Sequence, residues 1–321
     1  MKKKWLFTAL LVPLLLFALS RLDAQSLLHS VKQIPLWLAA SLVGLQIVSQ
    51  LLVNLQWHQI AKFTDADVSF GNMFYINCQG AVMDSITPGV KVGGEVTRAV
   101  QIGRMGNCSA EQAVAVVALQ KLFSLSAFFF INLFTVGYLI GRVPLLQVRY
   151  VQFLVYGILL LFLLLFAGIF FAPQRIKAYL QTRENPRFSW MRRVRGFLLT
   201  LLDQVASIRK NTKAWVMLSL LSLFIWLLYP VKMYLLAVQF FPDANAVYIG
   251  AVTFASYMVA MIPVFPGGLG GFEGTMSGLL LAMGLEVSDA VVVTVLFRFV
   301  TFWFVMLLSL GFIGWRRFFA K

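Results

Sequence analysis

The sequence predicts an all-α polytopic membrane protein with six transmembrane helices and two re-entrant broken-helix hairpins. These make about eight hydrophobic segments, arranged as an inverted repeat. Three observations predict this. The 321 residues are 60% hydrophobic and only 12% charged, with a mean hydropathy of +0.84, whereas soluble domains carry roughly a quarter charged residues. Six stretches meet or approach the ~20 apolar residues that cross a bilayer. A proline- and glycine-rich motif also occurs twice, each time ahead of a similar span. This composition excludes a soluble enzyme, and it excludes disorder, which needs low hydrophobicity.

The six apolar stretches are 4–20, 36–60, 111–141, 150–172, 214–241 and 287–314. The first follows Lys2, Lys3 and Lys4 and ends at Ala18-Leu19-Ser20, which also fits a cleaved signal peptide. Two more apolar stretches do not read as single spans. Residues 70–86 are cut by Thr87-Pro88-Gly89 and by Gly93-Gly94. Residues 246–262 are cut by Pro263, Pro266, Gly267, Gly268, Gly270 and Gly271. Short helical segments follow at 95–105 and 273–284. Proline and glycine at this density end a helix. Irregular backbone at membrane depth needs protein or water around it. Each stretch therefore reads as two half-helices meeting at a glycine-rich tip.

Charge sets the topology. The chain has 27 Lys+Arg against 12 Asp+Glu, a net +15. With both broken segments re-entrant, 20 of the 27 basic residues fall on one face, four fall on the other, and Lys121, Lys232 and Arg298 lie within spans. The positive-inside rule then puts both termini in the cytoplasm of a cell-membrane protein. Full crossings would set the ten basic residues of 173–213 opposite Lys2–Lys4, a poorer topology. In that basic loop, Phe197, Leu198, Leu201, Leu202 and Val205 recur at helical spacing behind Arg192, Arg193 and Arg195. The pattern fits an interfacial helix on an anionic leaflet; a basic loop serving only topology is the alternative.

The motif reads Pro88-Gly89-Val90-Lys91-Val92-Gly93-Gly94-Glu95 and Pro266-Gly267-Gly268-Leu269-Gly270-Gly271-Phe272-Glu273, P-G-x-x-x-G-x-E at an offset of 178. Ala113–Leu122 aligns with Ala290–Phe299 at an offset of 177, placing Lys121 opposite Arg298. Two matches in order indicate a duplicated unit. Repeat one covers 1–141, with two spans, a hairpin at 70–105 and one span. Repeat two covers 150–314, with two spans, a hairpin at 246–284 and one span. Three crossings per unit insert the second copy upside down, an arrangement typical of transporters. The symmetry asks for a mate to span 150–172 and so favours keeping helix 4–20.

Ionised groups in the apolar zone cost ~2.5–3.5 kcal/mol at a helix centre on insertion scales and mark functional sites by default. The candidate head-group path is Pro88, Gly89, Gly93, Gly94, Glu95, Arg98, Lys121, Pro266, Gly267, Gly268, Gly270, Gly271, Glu273 and Arg298. Half-helix N-termini and glycine-tip N–H groups favour phosphate. Arg98, Lys121 and Arg298 add positive charge, while Glu95 and Glu273 suit an ammonium group or a proton. The plainer reading makes the two glutamates first-turn stabilisers, the two basic residues their structural partners, and the glycines helix-packing sites. Lys232 has no mate in the other repeat, and snorkelling to an interface is one expectation for it.

Other chemistries lack support. Cys78 and Cys108 form no CxxC, His29 and His58 have no metal spacing, and no GxxxxGK[ST], HExxH or GxSxG motif occurs. Neither a metal nor a cofactor is expected.

TPGVKVGGEVTRA (87–99) and FPGGLGGFEG (265–274) resemble the paired motifs of the lysylphosphatidylglycerol synthase transmembrane, or flippase-like, domain family. The resemblance covers nearly the whole chain. It implies a domain that, in full-length synthases, moves aminoacylated phosphatidylglycerol to the outer leaflet. There a separate cytoplasmic domain performs lysyl transfer from tRNA. This chain ends at Lys321, right after the last span, so no transferase domain and no enzyme activity are expected. Relatives often carry an acidic residue just before the basic one after hairpin one; here that position is Gln120.

The leading expectation is a lipid translocase with membrane phospholipids as partners. The alternatives are a proton-coupled transporter of a small solute, using Glu95 or Glu273, and a helper of a lipid-modifying synthase. Nucleic acid is not an expected partner.

Overall fold

In a computed structural model, the structure describes residues 32, 34–87, 92–182, 188–262 and 268–319. All regular structure among them is helical. The stretch 4–20 lies outside the described residues.

Five helices are long and apolar enough to cross a membrane: α1 (Leu36–Phe63), α4 (Ala110–Leu139), α6 (Arg149–Phe171), α9 (Thr212–Ala237) and the continuous run Val287–Phe319. That last run contains α12 (Val287–Arg298), a π-helical turn at Phe299–Trp303 and α13 (Phe304–Phe319). Between α1 and α4 lie α2 (Phe70–Ile86) and α3 (Val92–Met105); between α9 and α12 lie α10 (Ala246–Ala260) and α11 (Gly271–Ala282). A one-turn α5 (Pro144–Gln147) precedes α6, and α7 (Pro173–Thr182) and α8 (Ser189–Lys210) follow it.

The starts of these helices follow local sequence. The Ser69 hydroxyl accepts from the Asn72 N–H. Ser109 and Gln112 form a reciprocal capping box on α4. The side chains of Asn211 and Asn245 accept from the first-turn N–H groups of α9 and α10.

The chain is a membrane protein. α6 presents Leu164 (70% exposed) and Leu161 (63% exposed) outward, an apolar belt that water would not tolerate and lipid does. Trp37 at the start of α1 and Trp315 near the end of α13 are also exposed, as expected for rings at head-group level.

Two buried clusters mark the two ends of the bundle. One joins Trp57 and Ile60 of α1 to Met73 of α2, Ile102 of α3, Val116 of α4 and Leu218 of α9. The other joins Leu38 of α1 to Leu139 of α4, Leu236 of α9, Ile249 of α10, Leu280 of α11 and Ala290 of α12. Thus the open end of the α2/α3 pair sits in one cluster, and that of the α10/α11 pair sits in the other.

α1 and α9 cross antiparallel. Gln56 Nε2 donates to Ser222 Oγ at 2.5 Å, and Lys232 Nζ donates to Gln46 Oε1 at 2.5 Å. Both contacts follow one register, 56 with 222 and 46 with 232. Lys232 therefore does not snorkel. It is fully buried, holds Ser49 Oγ at 3.0 Å as well, and lies 4.4 Å from the Tyr229 ring centroid.

The basic segment also differs from expectation. α8 forms over the expected repeat, but Leu201, Leu202, Val205 and Ile208 are buried in protein, packed with α4, α6 and the start of α9. Amphipathic periodicity says that one face is apolar; the first half of α4 covers that face before lipid can.

Candidate functional site

Hairpin one, α2 with α3, is closed by an ion pair. Asp84 lies in the last turn before the break, and Arg98 lies in the second turn of the returning helix. Arg98 Nη1 donates to Asp84 Oδ2 at 3.0 Å, with the two side chains 11% and 12% exposed. Asp84 Oδ1 also accepts the Gly94 N–H at 3.1 Å. The glycines make this possible. A Cβ on Gly94 would meet the Asp84 carboxylate and the Gly80 carbonyl, and one on Gly80 would lie 2.5 Å from the Arg98 guanidinium carbon. Arg98 is thus committed to Asp84 and to the Trp57 ring face, 5.4 Å away.

Glu95 lies in the first turn of α3 and points outward from the hairpin to α4. Lys121 Nζ sits 2.8 Å from Glu95 Oε1, and each side chain is 28% exposed. Hairpin two repeats this arrangement. Glu273, in the first turn of α11, pairs with Arg298 of α12 through Arg298 Nε at 3.1 Å, with Glu273 22% and Arg298 7% exposed. Its second oxygen accepts the Gly270 N–H at 2.6 Å, the helix-capping role of the plainer reading. The Arg298 guanidinium lies against Phe272 and Phe302, 4.7 and 4.5 Å from their centroids, a favourable setting for its charge.

The two pairs sit at matching positions along their helices. Lys121 is eleven residues into α4, and Arg298 is eleven residues into α12. At 1.5 Å per residue that is about 16 Å, about half of a ~30 Å hydrocarbon core. A row of aromatic rings lies between them. Trp226 Nε1 donates to the carbonyl of Ser124, three residues beyond Lys121, at 2.9 Å. Its ring is 5.9 Å from Tyr257, which is 4.9 Å from Phe272 beside Arg298. The π turn starts at the residue after Arg298, a distortion common at functional sites.

At the tip of hairpin two, Gly268 and Gly270 take φ of +72° and +85°, which other residues rarely adopt. A Cβ on Gly268 would also crowd Ala260, and one on Gly271 would lie 3.5 Å from a Val259 methyl. Gly93 packs against the Thr87 side chain. Pro88, Gly89, Pro266 and Gly267 lie outside the described residues. Among those residues, no group of three His, Cys, Asp or Glu side chains is placed to hold a metal.

These intramembrane pairs are the setting for comparison with known proteins. The description "Lysylphosphatidylglycerol synthase TM region" matches residues 5–309. The chain belongs to this family. Its relatives include three archaeal proteins, each named a UPF0104 membrane protein. That of Methanothermobacter thermautotrophicus is 25% identical over 82% of this chain and 80% of its own length. That of Methanocaldococcus jannaschii is 22% identical, covering 80% and 78%. That of Pyrococcus horikoshii is 24% identical, covering 82% of each.

Several polar residues of this lysylphosphatidylglycerol synthase TM region chain make contacts that the sequence does not reveal. Asp84 is the one charged residue in the apolar run 70–86, the same signal that drew attention to Glu95. Gln120 donates to Gln56 Oε1 at 3.1 Å, and Gln56 continues to Ser222, so three helices share one buried polar chain. Gln46 and Ser49 hold Lys232. These neutral groups carry no charge signal in a sequence, and only the α1/α9 register joins them.

Proposed function

We propose that this protein is a lipid translocase of the cytoplasmic membrane, and that Glu95–Lys121 and Glu273–Arg298 form its head-group sites. The observation that carries the reading is the duplicated carboxylate–cation pair, each joining a hairpin arm to a span at about half depth. An internal ion pair suits a passenger carrying both charges. A lipid phosphate takes the cation while an ammonium group takes the carboxylate, so no charge in the low-dielectric interior is left unpaired. An aminoacylated phosphatidylglycerol head group carries both, and its tails stay in the bilayer while the head crosses. The two hairpins open in opposite clusters, which supports reading them as re-entrant from opposite faces, one per repeat, with both termini cytoplasmic. Asp84–Arg98 holds hairpin one in shape beside its site.

The reading is tested in cells by comparing the lipid composition of the two leaflets with and without the protein. A passenger lipid depleted from the outer leaflet of the deletion strain is the expected result. Unchanged leaflets across all head groups would refute the proposal.

Topology has its own test. Cys108 lies between α3 and α4, is half-buried, and has its thiol pushed up by burial. Its thiolate therefore forms at more alkaline pH, and labelling speeds up as pH rises. It is expected to react with an impermeant thiol reagent only from the cytoplasm. Leu269→Cys in a Cys108→Ser background is expected to react only from outside. Labelling of both from one side would overturn the opposed hairpins.

A further inference from the structure

A second site lies away from the ion pairs, where α6 leaves the membrane. A crevice of about 490 Å³ forms between the start of α7 and the end of α8, lined by Phe171, Pro173, Gln174, Arg175, Arg209 and Lys210, among others. Three cations thus converge on one small space. None of the four ion pairs among the described residues uses them. The nearby carboxylate of Asp203 is taken by Lys177 at 2.5 Å. Arg209 spends one donor on the Phe171 carbonyl at 2.5 Å, closing the end of α6. A guanidinium carries five N–H donors, so the others remain available to a ligand. The first-turn N–H groups of α7 add positive potential at the same place.

Position selects the anion. Phe171 ends the α6 span, so the crevice sits at head-group level. The exposed Val216, Met217, Leu220 and Phe224 lie on the face of α9 turned away from Trp215, the ring that meets Phe171, and are not part of the crevice. At head-group level the phosphate of an anionic lipid is the anion that basic side chains meet first.

We propose that the Arg175/Arg209/Lys210 crevice binds the phosphate of an anionic phospholipid at head-group level. This site is separate from the translocation path and does not rest on it.

Native mass spectrometry of the purified full chain in detergent tests the proposal, with phosphatidylglycerol, phosphatidylcholine and inorganic phosphate as probes. Arg175→Gln/Lys210→Gln leaves the Arg209 contact with α6 in place and guards against misfolding. The expected result is phosphatidylglycerol binding weakened about tenfold or more in this variant, with phosphatidylcholine binding unchanged. Equal phosphatidylglycerol binding by variant and wild type would overturn the proposal. So would inorganic phosphate binding as tightly as phosphatidylglycerol, because the crevice would then be a free-anion site.

Discussion

Replacing Asp84 with alanine is expected to destabilise the protein by about 3–5 kcal/mol, the usual cost of stranding one member of a buried pair. Arg98 would keep its place, 9% exposed, with the Trp57 ring but no carboxylate within reach. The same logic predicts that Asp84→Ile/Arg98→Met recovers most of the loss, because an apolar pair in lipid surroundings needs no partner. The sequence of repeat two carries apolar residues at these places. At the motif's offset of 178, Asp84 and Arg98 correspond to Ile262 and Met276, while Gly80 and Gly94 correspond to Met258 and Phe272. Hairpin one thus packs glycine against a long ion pair where hairpin two buries Phe272 and Met276. Thermal unfolding in detergent reads the effect. A single variant as stable as wild type, or a double variant no better than the single, would show that the pair does not hold the hairpin.

Lys121→Met and Arg298→Met are expected to slow lipid exchange rather than unfold the chain. Each removes a cation of similar bulk from a pair whose carboxylate is more than a fifth exposed. Glu273 would keep its bond from the Gly270 N–H. A charge-assisted hydrogen bond to a lipid phosphate is worth about 1.5–3 kcal/mol, so each substitution should slow exchange about 10- to 100-fold. The double variant should lie near background. Normal exchange in both single variants, with the protein folded, would reduce the pairs to structural struts.

Much of this architecture was legible in the sequence because the bilayer imposes strict rules. The spans 36–60 and 214–241 were readable from composition and appear as α1 and α9 with their ends moved by a few residues. The two breaks were readable because proline and glycine leave no alternative. Glu95, Lys121, Glu273 and Arg298 stood out because charge is rare in apolar runs, and the repeat set them in matching positions. Their partnership, Glu95 with Lys121 and Glu273 with Arg298, was one of two readings until distances were available. The setting of Lys232 stays open in the sequence because its partners, Gln46 and Ser49, lie more than 180 residues away. A sequence shows a buried lysine's cost but not the helix that meets it. The covered face of α8 eluded the sequence for the same reason: periodicity identifies an apolar stripe, and only tertiary packing decides what lies on it.

The most direct test of the central claim is leaflet exchange in liposomes reconstituted with the purified protein. Fluorescent phospholipids in both leaflets are bleached by an impermeant reductant, which in empty vesicles reaches only the outer half. The account predicts bleaching that continues past the outer half in protein-containing vesicles, for at least one phospholipid head group. Bleaching that stops at the empty-vesicle level for every head group, aminoacylated phosphatidylglycerol included, would contradict it.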